Sequence, residues 1–284
     1  MRMTDDMQAL RALCLEAGAV LLDFFHGGVA VESKADDSPV TEADRRAEAI
    51  ILAGLAKAFP GVPVVAEEEV SAGRLPEAVG ERFFLVDPLD GTREFISGRG
   101  DFTVNIALVE KGVPVMGAVY APHRGALYLG RLGEGAVEET VAVDSAGAGG
   151  EVVPLRVRAE PKVPPVAVAS RSHRDAETDA LLSAMGVTDT VSVGSSLKFC
   201  LVARGEADLY PRFGRTMEWD TAAGHGVLLA AGGSVCRLDG EPFLYGKRNQ
   251  PHDSDFANPG FLAAGTADLV RAAAAKVAEA SAAG

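Results

Sequence analysis

The stretch Phe83-Phe84-Leu85-Val86-Asp87-Pro88-Leu89-Asp90-Gly91-Thr92-Arg93-Glu94-Phe95 decides how this chain is read. Four apolar residues run straight into two carboxylates separated by Pro88 and Leu89, with Gly91-Thr92 immediately behind. A short apolar run bounded by turn signals reads as a buried strand. Pro88 has no N–H to give a ladder, so the strand is expected to end at Asp87 and the chain to turn there. Both carboxylates then point into whatever lies beyond the strand. That is a place for cations.

Working outward, Val62 to Ala66 predicts a second short buried strand, which runs into Glu67-Glu68-Glu69. Consecutive acids usually mark a solvated face. Glu67, however, stands at its strand's end as Asp87 stands at its own. Two neighbouring strands ending in carboxylates at one sheet edge build a hard-oxygen site of the kind Mg²⁺ prefers. Carboxylates so crowded repel one another without a cation.

Before these strands, apolar residues from Leu10 to Phe25 recur at helical spacing until Gly27-Gly28. Thr41 suits the N-cap of a second helix running to Phe59, and Asp44 falls in its first turn, where the helix dipole favours an acid. Plain capping accounts for both residues. After the Asp-Pro-Leu-Asp turn, 102–109, 113–120 and 126–130 predict an antiparallel meander. The Gly- and Ala-rich stretch 133–150 reads as an exposed hairpin or a connection between halves, with a boundary near residue 155. This divides the chain into an α+β half, 1–155, and an α/β half, 156–284.

In the second half, a strand over 166–169 leads into Ser170-Arg171-Ser172-His173-Arg174, and Asp175 caps a helix. A strand over 190–193 leads into Gly194-Ser195-Ser196-Leu197-Lys198. A turn of this kind at a helix start offers N–H groups, hydroxyls and an ammonium to an anion, although serine is also a common helix cap. Arg212 and Arg215 lie on the loop before Trp219-Asp220-Thr221, where Asp220 opens an apolar helix. His225, on that helix, reads as a packing residue.

Composition bounds the alternatives. The chain has 284 residues, 48% of them hydrophobic, enough for a sizeable core. Forty acidic against 27 basic residues give a formal charge of −13, which argues against a nucleic-acid polymer or an anionic membrane as main partner. Cys14, Cys200 and Cys236 sit far apart in apolar surroundings and read as buried free thiols of a reducing compartment. No apolar run approaches the ~20 residues that span a bilayer, and the first residues lack the order of a secretion signal. The cytoplasm is the expected location, with the inner face of the membrane as the place of any peripheral association.

Asp87-Pro-Leu-Asp-Gly-Thr92, followed far downstream by Trp219-Asp-Thr-Ala-Ala-Gly224, resembles the paired signatures of the inositol monophosphatase-like, Mg²⁺-dependent, Li⁺-sensitive phosphatases. Ser170-Arg-Ser-His173, Gly194 to Cys200, Tyr210-Pro-Arg-Phe-Gly214 and Asn258-Pro-Gly-Phe261 resemble more narrowly their bacterial CysQ branch, the 3'(2'),5'-bisphosphate nucleotidases. The resemblance implies a layered α-β-α-β-α sandwich, a monomer or homodimer, and two to three Mg²⁺ ions held by Glu67, Asp87, the Leu89 carbonyl, Asp90 and Asp220. It gives Asp44 and Thr92, with Glu67, the task of positioning the attacking water. It places Gly91, Thr92, Ser170, His173, Ser195, Lys198, Arg212 and Asp220 at a phosphorylated nucleotide. Arg215 departs from the proline common in relatives and is expected to set an extra cation close to Asp220. The implied reaction is hydrolysis of adenosine 3',5'-bisphosphate to AMP, with the sulfated analogue as a second substrate. Inositol phosphate or fructose bisphosphate hydrolysis, or a sensor without turnover, are the alternatives.

Overall fold

The computed structural model describes residues 3–28, 31–33, 39–142, 149–169 and 175–283. The first half runs α1 (Asp5–Gly27), β1 (Val31–Ser33), β2 (Pro39–Thr41), α2 (Glu42–Ala58), β3 (Val64–Ala66), α3 (Glu67–Ser71), β4 (Arg82–Asp90), α4 (Thr92–Ile96), β5 (Thr103–Glu110), β6 (Val113–Ala121), β7 (Ala126–Arg131), β8 (Gly135–Val141) and β9 (Gly149–Leu155). The second runs β10 (Ala167–Ala169), α5 (Ala176–Ala184), β11 (Thr190–Ser192), α6 (Leu197–Ala203), β12 (Leu209–Arg212), β13 (Thr216–Met217), α7 (Glu218–Ala230), β14 (Ser234–Arg237), β15 (Ala257–Asn258), β16 (Phe261–Ala264) and α8 (Ala267–Ala283).

Strands β3 to β9 form one sheet in chain order, parallel only between β3 and β4. The second sheet has the order β11-β10-β12-β16-β14. Alternation along β4 sorts its side chains to two cores. Phe84 and Val86 meet Leu10 and Ile51 of α1 and α2. Phe83 and Leu85 face the opposite core, with Phe199 of α6 and Val227 of α7. Leu181 and Val270 close the far side of the second sheet beneath α5 and α8. The layers are therefore α-β-α-β-α, the sandwich the motifs imply.

Helix α7 lies directly on the large sheet. Gly117 of β6 and Gly130 of β7 are register partners, and a Cβ on Gly117 would stand 2.2 Å from the Ala223 carbonyl oxygen. On Gly130 it would stand 2.7 Å from Val227 Cα. Two facing glycines thus make a flat seat that fixes the helix carrying Asp220. Gly117→Ala is expected to cost about 1–3 kcal/mol, the usual range for overpacking, read as a lower midpoint in chemical unfolding.

One sequence expectation changes. Strand β4 does not stop at Asp87: the ladder pairs Asp87 with Asn105 and resumes at Asp90 with Thr103, so one extra residue bulges out around Pro88. The bulge absorbs the proline's missing donor and sets both acids on one strand. Over 133–150 the hairpin alternative holds: β8 and the start of β9 pair antiparallel, with β8 largely buried and β9 exposed along the sheet edge. The expected boundary near 155 falls at the end of β9.

Candidate active site

The four acids come from three elements. Asp87 and Asp90 flank the bulge of β4, Glu67 opens α3 at the end of β3, and Asp220 lies in the first turn of α7. Asp87 is 1% exposed, at the bottom. Burial first, and then the charges of Glu67, Asp90 and Asp220, hold its carboxyl well above the ordinary range, and it shares a hydrogen bond with Glu67. Asp220 is raised well above that range by burial and by Asp90 and Glu67. Asp90 is raised by burial too, against the pull of Lys198 and the donors Ser196 and Asn105.

A crowded carboxylate set holds a shared proton where a cation could sit. Among the described residues, no three His, Cys, Asp or Glu side chains converge closely enough to enclose an ion as they stand. The donor set nonetheless fits a hard divalent cation. It is all oxygen, strongly acidic, and joined by the Leu89 carbonyl, which the Thr92 hydroxyl marks at 3.2 Å.

Asp87 and Asp220 are each aimed by a nearby backbone N–H. Asp87 Oδ1 accepts the Leu89 N–H at 3.0 Å across the bulge. Asp220 Oδ2 accepts the Met217 N–H at 2.8 Å, capping α7 from within its first turn. Buried Glu218 accepts the N–H groups of Gly246 and Lys247 at 2.7 and 2.9 Å and the Lys247 ammonium at 2.7 Å, anchoring the same helix start. Gly91 turns the chain at φ +94°, where a Cβ would meet Ser195 Oγ at 2.5 Å. Only glycine joins the bulge to α4 here.

The structure sorts the remaining expected residues. Asp44 Oδ2 accepts both the N–H of Thr41 at 2.8 Å and its hydroxyl at 2.6 Å. Thr92, expected as its partner, donates to Leu89, and its helix α4 packs against β2, the strand that ends at Thr41. Ser195, expected at the ligand, has left-handed backbone at φ +51° and turns its hydroxyl toward the carbonyls of Asp90 and Asp101, at 3.0 and 2.7 Å. The anion received by the Gly-Ser-Ser turn is Asp90 itself, whose Oδ2 accepts the Ser196 N–H at 2.7 Å. Lys198 is buried, donates to the Ser195 carbonyl at 2.8 Å, and lies 5.7 Å above the Tyr210 ring. Arg215 reaches away to Asp253, at 3.0 and 3.2 Å, and to Ser254; the cation whose charge acts on Asp220 is Arg212. Ser170 and His173 lie outside the described residues. His225 is buried, with Nδ1 3.0 Å from the Tyr245 hydroxyl, as a packing residue should be.

Three residues were not singled out from the sequence. Ser196 and Asn105 both bond Asp90. Glu48, one helical turn beyond Asp44, accepts the Glu68 N–H at 2.8 Å and so caps α3, whose own N-cap residue is Ala66. An acid pair four apart on one helix face was the available signal. Burial, opposed by the Glu68 N–H and aided by the charges of Glu68, Glu69 and Glu67, pushes Glu48 up from 4.5 to about 8. The folded value exceeds the unfolded one, so its stabilisation is complete in acid and is lost as pH rises from about 4.5 through about 8. Glu48→Gln keeps the acceptor and is expected to raise the melting temperature by several degrees near pH 8 and to leave it unchanged near pH 4.

Comparison with known proteins follows the same lines. The model of the inositol monophosphatase family matches residues 3–275. The 3'(2'),5'-bisphosphate nucleotidase CysQ of Escherichia coli K12 is 45% identical over 251 residues, 88% of this chain and 95% of that protein. The Buchnera aphidicola protein of the same name is 36% identical over 88% of this chain and 90% of its own length. In structure, CysQ from Bacteroides thetaiotaomicron superimposes with a TM-score of 0.75 at 37% identity, covering 93% of this chain and 99% of that one.

Proposed function

The chain belongs to the inositol monophosphatase family, and on that premise we propose that it hydrolyses the 3'-phosphate of adenosine 3',5'-bisphosphate to AMP and phosphate, with the sulfated analogue as a second substrate. The observation that carries this reading is the buried ammonium of Lys198 beside Asp90, with Arg212 close enough to repel it. An acid cluster suits cations; two mutually repelling cations next to it suit a second anionic group. The relatives named as 3'(2'),5'-bisphosphate nucleotidases support the same substrate class.

Glu67, Asp87, the Leu89 carbonyl, Asp90 and Asp220 would hold the Mg²⁺ ions, two to three in this reading. Bound there, they supply charge neutralisation for the attacking and leaving oxygens of an in-line phosphoryl transfer. Asp44 and Thr92 orient the attacking water beside Glu67, with a buried carboxylate at Asp44 to take its proton. Gly91, whose Cβ position is closed by Ser195 and Asp101, would meet the phosphate through its backbone alone, and Lys198 and Arg212 bind the phosphate that is retained. The chain itself supplies no covalent phosphate acceptor in this scheme. Ser170 and His173 would extend the contact to the nucleoside. No helix among the described residues is long and apolar enough to cross a membrane.

Phosphate release from adenosine 3',5'-bisphosphate, inositol 1-phosphate and fructose 1,6-bisphosphate, each with Mg²⁺ and with or without Li⁺, tests the reading. The bisphosphate nucleotide is expected to give the highest kcat/KM, with Li⁺ inhibiting. Equal or better turnover of inositol 1-phosphate overturns the substrate assignment. Absence of release from all three would leave a nucleotide sensor.

A further inference from the structure

Ser196 stands where the two halves of the acid site meet, and its hydroxyl has more partners than protons. The side chain is buried, and its oxygen accepts the Asn105 amide at 2.9 Å. It also lies 3.0 Å from Asp90 Oδ2 and 2.7 Å from the backbone carbonyl of Asp220. A single hydroxyl proton serves one of these two acceptors at a time. The Ser196 N–H reaches the same Asp90 oxygen at 2.7 Å, and Asn105 Nδ2 approaches it at 3.3 Å. Two N–H donors, with the shared Ser196 hydroxyl as a third, therefore converge on Oδ2 of Asp90, and among the described residues none is aimed at Oδ1.

Asn105 shows that this arrangement serves more than packing. It is completely buried on β5, and its Oδ1 has no hydrogen-bond partner among the described residues. Turning the amide over would set that oxygen against the Asp90 carboxylate, so the orientation is fixed by charge. A buried acceptor left unsatisfied is a cost that folds rarely carry without a functional return.

We propose that Ser196, supported by Asn105, is a positioning residue: it reserves Asp90 Oδ1 for the cation and ties Asp90 to the start of α7, where Asp220 sits. Cation affinity then depends on a hydroxyl outside the ligand set. The inference rests on reading the four acids as a cation site, and its test separates the two claims.

Mn²⁺ binding, followed by electron paramagnetic resonance without substrate, is compared in the full-length parent, Ser196→Ala and Ser196→Thr, alongside thermal unfolding in EDTA. Removing an outer partner of a metal ligand weakens binding roughly 10- to 100-fold. That loss is expected for alanine, while threonine, which keeps the hydroxyl, stays within about threefold of the parent. Midpoints in EDTA should change by no more than a few degrees. In steady state, the Mg²⁺ concentration for half-activation rises in Ser196→Ala while substrate KM at saturating Mg²⁺ holds. Should the alanine variant not fold, Ser196→Cys, a much weaker donor of similar size, takes its place. Unchanged Mn²⁺ affinity in the variant overturns the inference, as does an affinity loss that threonine fails to restore. A parent that binds no Mn²⁺ overturns the reading of the acids, and this inference with it.

Discussion

Asp90→Asn is expected to lower kcat/KM for adenosine 3',5'-bisphosphate by about a thousandfold or more, while the protein folds at least as well as the parent in EDTA. The asparagine carbonyl can accept the same donors that Asp90 Oδ2 accepts now, from the Ser196 N–H at 2.7 Å, the Ser196 hydroxyl at 3.0 Å and Asn105 at 3.3 Å. Its amide nitrogen then faces the cation site, where it cannot ligate. Charge stabilisation by a bound divalent ion is worth several kcal/mol in the transition state, and each 1.36 kcal/mol is tenfold, so a thousandfold corresponds to roughly 4 kcal/mol.

Stability moves the other way. The Asp90 charge helps to hold the carboxyls of Asp87 and Asp220 above their ordinary range. A raised folded value means stability that is complete in acid and is lost as pH climbs from the ordinary carboxylate range through the folded values. Removing one charge from the cluster shrinks that loss, so the variant should melt higher than the parent at neutral pH in EDTA. Added Mg²⁺ should raise the parent's midpoint by mass action and the variant's hardly at all. Activity that survives the substitution would remove Asp90 from the cation site. A midpoint in EDTA well below the parent's would make it a structural keystone instead.

What could be read in advance follows from where information is stored. Glu67, Asp87 and Asp90 were legible because strand ends and a proline mark the edge of a sheet, and Asp220 because a helix start is marked by the loop before it. The continuation of β4 past Pro88 was not, because a bulge is decided by the partner strand and not by the proline alone. Ser196 and Asn105 lie 91 residues apart, and nothing local to either predicts their bond. Ser195, expected at a ligand, and Arg215, expected close to Asp220, are engaged instead by Asp101 and Asp253, residues brought near only by the fold. Glu48 lies between these cases, since its spacing from Asp44 was visible and its task of capping α3 was not.

Lys198→Met is expected to lower kcat/KM for adenosine 3',5'-bisphosphate by roughly 100-fold, the loss of one charged hydrogen bond to a desolvated phosphate. Inositol 1-phosphate, which has no second phosphate, should change by less than about threefold. The argument is electrostatic. Burial pulls the ammonium down from 10.5 to about 8, Asp90 resists that fall, and Arg212 adds to it. Two cations held close at a cost are relieved by an anion between them, so the free energy they gain appears on binding of the retained phosphate. The same placement gives a pH dependence whose sign is fixed: below about pH 8 the free enzyme carries Lys198 as the cation, and above it the charge is lost. For the nucleotide, kcat/KM should therefore fall as pH rises beyond about 8, since that ratio reports the free enzyme. A bound phosphate raises the ammonium's affinity for its proton, so kcat should hold to higher pH than kcat/KM. In Lys198→Met the nucleotide's extra alkaline fall should disappear, leaving a profile parallel to that of inositol 1-phosphate. Equal losses on both substrates would instead assign Lys198 to holding the Ser195 turn, through its bond to that carbonyl, and would leave Arg212 as the cation that selects the second phosphate.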